Sequence, residues 1–153
     1  MPMPDVAAAI APLLDPVPAR ARPRLVAELE LAAAERYDAW ASADASHADG
    51  LRDCARRERE VARRVKALFA LHADDERACG EALAAIAAAY RAAMGDRPVS
   101  EQYAIQAAAE RTGAAFWRAV AATVPDAGAR RALESCAELE EQSAAFLETL
   151  AAR

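Results

Sequence analysis

Four glutamates constrain this chain more than any other feature, because each stands alone in an apolar helical stripe. On a helix, the neighbours of a residue lie three and four positions away. For Glu30 these are Val26, Ala27, Ala33 and Ala34, and for Glu58 they are Cys54, Ala55, Val61 and Ala62. Glu110 has Gln106, Ala107, Gly113 and Ala114, and Glu140 has Cys136, Ala137, Ser143 and Ala144. None of these neighbours is charged. Glu60 shows the ordinary surface pattern instead, with Arg56, Arg57, Arg63 and Arg64 at the same offsets. A single lone acid on such a stripe most simply stands at the edge of the core and reaches water, but four of them packed together would need something to neutralise them.

The four acids fall in a repeat. Glu30, Ala33 and Tyr37 are matched by Glu110, Gly113 and Trp117: an acid, a small residue three on and an aromatic seven on. Each segment is followed by a second helix bearing a glutamate, Glu58 after 28 residues and Glu140 after 30. The chain reads as a two-helix unit used twice.

Alanine, the strongest helix former, accounts for 46 of 153 residues, and glycine for only 5. This predicts one all-α domain, long enough to bury a core. With so many small side chains, Trp40, Phe69, Phe116, Trp117 and Phe146 must fill much of the interior. Residues 1–23 hold six of the eight prolines and read as an N-terminal arm. Asp5 is placed to cap a short helix over Val6–Leu14, which Pro12 is expected to shorten. Long helices are predicted over about 24–45, 51–71, 100–123 and 129–152. A different helix, over about 74–94, carries no acid in its apolar stripe and ends at Gly95. Two antiparallel pairs joined by a long middle connection form a ferritin-like up-down four-helix bundle with a central crossover helix.

The formal charge of −5 argues against a nucleic-acid partner, and the arginines around Glu60 read as a salt-bridged, solvated face. Cys54, Cys79 and Cys136 form no CxxC motif and cannot all pair, which fits a reducing cytoplasm. No apolar run is long enough to span a membrane, and the N-terminus lacks the pattern of an export signal. An alanine-rich, flat bundle side predicts a homodimer.

Four carboxylates packed together would repel one another unless they share protons or a cation. An oxygen-only set suits a hard ion such as iron(II), manganese(II) or magnesium(II). The motifs carrying these acids are Glu30 with Tyr37, Glu110 with Phe116 and Trp117, Glu58 in REREVA and Glu140 in LEEQSA. Together they resemble the rubrerythrin-like branch of the ferritin-like superfamily over about 24–71 and 99–150. The resemblance implies a di-iron site in which each half supplies a Glu from one helix and an ExxH pair from the next. Here the histidine positions hold Val61 and Ser143, and neither His47 nor His72, both at helix ends, can stand in for them. Glu141 is a candidate further oxygen ligand, and Cys54 and Cys136 are candidate soft ligands or, more simply, core residues.

Two functions fit these residues. In the first, Glu30, Glu58, Glu110 and Glu140 form a carboxylate-only site for iron or manganese, used for peroxide or oxygen chemistry or for metal handling. In the second, the bundle holds no cofactor and acts as a dimeric scaffold or small-ligand binder.

Overall fold

The computed structural model describes residues 2–153, and these are all-α, with six helices and no strand. Helix α1 spans Val6–Leu14, α2 Arg22–Ala43, α3 Ala48–Leu68, α4 Glu76–Met94, α5 Val99–Ala121 and α6 Ala127–Ala151. Their limits follow local chemistry. Asp5 accepts the amide N–H of Ala8 at the start of α1, and Asp126 accepts that of Ala129 at the start of α6. Pro23 lies in the first turn of α2, where its missing N–H costs nothing. Gly95 ends α4 at φ 45°, a conformation that side-chain-bearing residues rarely adopt.

Two expectations need correction. Pro12 does not shorten α1, which continues to Leu14. Pro12 stands on the exposed side of α1, where the carbonyl its ring leaves unpaired can meet water. Helix α3 begins three residues earlier than expected, so the Ser46–Gly50 connection shrinks to a turn after Asp44. Gly50 therefore sits inside the helix, and the reason is space. A Cβ there would stand 2.2 Å from Cζ of Phe146.

Registers across the structure fix the helix directions. Arg59 with Asp38 and Lys66 with Glu28 set α3 antiparallel to α2. Arg111 with Glu148 and Arg118 with Glu141 do the same for α5 and α6. Bonds from Arg64 to Ser135 and from Ser143 to Glu58 join α3 to α6, again antiparallel. Helices α2 and α5 meet through longer side chains, Trp40 to Gln102 and Arg36 to Gln106. Helix α4 packs against α1, α2 and α5.

The apolar interior comes in separate bodies. One holds Tyr37, Trp40, Leu51, Tyr103 and Leu147, with Trp40 edge-on to Tyr37 and to Tyr103 at 5.7 and 5.0 Å between ring centres. A second holds Val61, Val65, Trp117 and Leu133. A third, of Val17, Leu25, Cys79 and Ile86, joins α4 to the start of α2. In α2, α3, α5 and α6 alike, the glutamate stands between the residues supplied to the first body and those supplied to the second. Phe69, Phe116 and Phe146 flank these bodies half-buried, leaving Trp117 and Tyr37 as the largest enclosed side chains.

Candidate carboxylate centre

All four glutamates are buried, Glu58, Glu110 and Glu140 at 2 % exposure or less and Glu30 at 8 %. Carboxylate oxygens of Glu30, Glu58 and Glu140 lie within 4.8 Å of one another. Glu110 falls outside that triplet but faces the same cavity as Glu30 and Glu140. Three helices thus bring three acids together, and the fourth helix sets a fourth acid beside them.

Few protein donors reach this cluster. Ser143 gives Glu58 one long hydrogen bond of 3.3 Å, and the Trp117 indole N–H lies 3.4 Å from Glu140. Glu110 is better held, with Tyr37 Oη and Gln106 Nε2 both donating to its Oε1 at 2.7 Å. Arg36 completes the chain by donating to Gln106 Oε1 at 2.6 Å. The second oxygens of Glu58 and Glu110 are buried with no partner. An ionised carboxylate in that position loses hydration worth several kcal/mol, so the cluster needs protons or a cation.

Electrostatics agree. Burial, then the charge of Glu110, raises Glu30; hydrogen bonds from Glu58, Glu140 and Trp117 pull it partly back, to about 8. Burial, with the neighbouring acids behind it, holds Glu58 and Glu140 well above the ordinary carboxylate range. Tyr37 is also held well above its ordinary value, so its hydroxyl keeps the proton it gives Glu110.

The residues at the histidine positions are both buried. Val61 belongs to the apolar body around Trp117, and Ser143 serves Glu58 as a donor. His47 bonds to Asp44 at the start of α3, and His72 is exposed. Glu141 is not a further ligand: it faces the surface and accepts from Arg118 at 2.7 Å. Cys54, Cys79 and Cys136 are free, buried thiols. The arginines near Glu60 form the expected solvated face, with Arg63 and Arg64 pairing with it and Arg59 with Asp38. Among the described residues no helix is long and apolar enough to cross a membrane.

Beside the cluster lies a cavity of about 360 Å³, between α2 and α5 and roofed by α1 and α4. Sequence reasoning missed Arg36, Gln106 and Tyr90 on its wall. One signal was present, since Gln106 is a hydrogen-bond donor one turn before Glu110. Gly113 has a clear role: a Cβ there would stand 3.1 Å from Glu140 Oε2, so its absence makes room for that carboxylate.

No protein-family model matches the chain, and no curated protein or solved structure matches it either.

Proposed function

We propose that this chain is a ferritin-like protein in which α2, α3, α5 and α6 form the four-helix bundle and α4 the crossover. In this reading its function is to hold iron or manganese on carboxylates alone. The observation that carries it is the convergence of Glu30, Glu58 and Glu140 within 4.8 Å while the second oxygen of Glu58 is buried without a partner.

The donor set fits such an ion. Hard divalent cations take oxygen ligands at about 2.0–2.6 Å, so opposite ligands stand roughly 4–5 Å apart. Zinc fits poorly, because its protein sites rely on imidazole or thiolate, and here the nearest thiols belong to the apolar core. Glu30, Glu58 and Glu140 would hold the cation, with Glu110 beside them. Ser143 orients Glu58, while Tyr37 and Gln106 fix Glu110 at its Oε1 and leave Oε2 free. A bound iron or manganese ion supplies Lewis acidity and one-electron exchange with oxygen or peroxide. The apolar bodies on either side keep bulk water from the acids.

The test is bound metal together with thermal melting, after chelation and reloading with iron(II), manganese(II) or magnesium(II). At a hundredfold excess over Kd a cation stabilises by about 2.7 kcal/mol, a rise of roughly 5–10 °C for a domain of this size. Glu58→Gln should abolish the rise. If no divalent ion moves the melt between pH 6 and 8.5, and Glu58→Gln raises it, the metal reading is lost. The bundle is then a metal-free protein whose acids share protons.

A further inference from the structure

The cavity beside the glutamates has direction. Along α2 its wall runs from Val26 to Arg36, ten residues or about 15 Å of helix. Near Val26 the lining is apolar, with Leu83 and Phe116 opposite; at the far end stand Arg36, Tyr90 and Gln106. The volume of about 360 Å³ is that of a small-molecule pocket, and most of the surface is hydrocarbon.

Arg36 is the unusual member. Its guanidinium lies 4.9 Å from the centre of the Tyr90 ring and gives one N–H to Gln106. Among the described residues no carboxylate stands within ion-pair distance of it, whereas the part-buried Arg64 and Arg97 each have one. Burial accordingly pulls the Arg36 guanidinium below its ordinary value. Gln106 separates it from Glu110, taking the Arg36 N–H on one atom and giving its own to Glu110 from the other. A guanidinium has five N–H donors in a fork that matches a carboxylate.

We propose that this cavity binds an extended monocarboxylic acid, its apolar chain reaching toward Val26, Leu83 and Phe116 and its carboxylate on Arg36. About 15 Å of wall accommodates a chain of about ten carbons. The buried glutamates flank the middle of the cavity, where only methylene groups pass. Binding therefore requires no cation in the carboxylate cluster, and the proposal stands apart from the metal reading.

The test uses the whole, lipid-stripped protein, titrated calorimetrically below micelle concentrations with decanoate, decanol and decylamine, and with acetate as head group alone. Decanoate should bind one to one and at least tenfold more tightly than decanol or decylamine, and acetate should not register. Arg36→Gln should weaken decanoate tenfold or more and leave decanol unchanged. Ala87→Phe, which fills the cavity wall, should abolish both. Equal binding of decanoate and decanol, preference for decylamine, or no binding at all overturns the proposal. The head-group series on the unaltered chain decides the matter even if a variant fails to fold.

Discussion

Glu110 and Glu58 show how differently two buried acids are treated. The Glu110 Oε1 atom takes two short hydrogen bonds, one crossing from Tyr37 on α2. Tyr37→Phe removes that bond and leaves a buried oxygen less satisfied, a loss of about 1.5–3 kcal/mol, the upper part of what an unmet buried polar group costs. The expected outcome is a melting point lower by roughly 3–12 °C, read by circular dichroism with and without manganese(II). Gly113→Ala separates stability from binding. Replacing a helical glycine contributes about 0.5–1 kcal/mol, but the new methyl, 3.1 Å from Glu140 Oε2, displaces that carboxylate. The metal-free protein should melt at the same temperature or higher, while the rise on adding manganese(II) shrinks. Of these residues, the sequence singled out Glu110, Glu58 and the small position at Gly113. It did not reveal that Tyr37 reaches Glu110, because a hydroxyl crossing between helices leaves no mark on the periodicity of either one.

At the scale of elements, α3 and α6 depend on a fit that neither stripe announces. The stripes themselves were legible: Leu51, Ala55, Glu58, Ala62 and Val65 on one and Leu133, Ala137, Glu140, Ala144 and Leu147 on the other are buried, whereas Phe69, which the spacing adds to the first, stands half-buried just past the end of α3. The start of α3 was misplaced because Gly50 reads as a loop residue, yet it is helical where the Phe146 ring crosses it. Gly50→Ala should destabilise by about 1–3 kcal/mol, as overpacking does, and Gly50→Ala with Phe146→Leu should recover most of the loss in a double-mutant cycle followed by urea unfolding. Helix α1 was expected as part of a proline-rich arm. Its apolar residues Ile10 and Leu14 roof the cavity, a role that depends on where α4 lies and so could not be read locally.

For the whole molecule, pH divides two classes of acid. Glu30 titrates near 8 when folded, and Glu58 and Glu140 are likewise raised, so between about 4.5 and 8 the folded metal-free chain binds more protons than the unfolded one. Stability from these groups is complete at low pH and is lost as pH rises toward 8. Surface acids act oppositely. Glu60 is held at about 2 by Arg63 and Arg64, and Asp75 is lowered by Arg20, so their contribution is present above the ordinary carboxylate range and lost in acid. The metal-free protein should be most stable around pH 4–5, whereas stabilisation by manganese(II) should grow with pH because the ion displaces protons; melting curves from pH 4 to 8.5 with and without the ion check both slopes. The sequence by itself determined that the chain is helical, which face of each long helix is buried, and that four acids lie on those faces, because composition and a 3.6-residue period are local properties. Only the tertiary structure decided that Glu30, Glu58 and Glu140 converge, that Glu110 stands beside them with Tyr37 and Gln106 on its Oε1, and that a cavity ending at Arg36 opens beside them. Those outcomes depend on distances between residues far apart in the chain, and helical periodicity fixes direction around an axis but not what stands opposite.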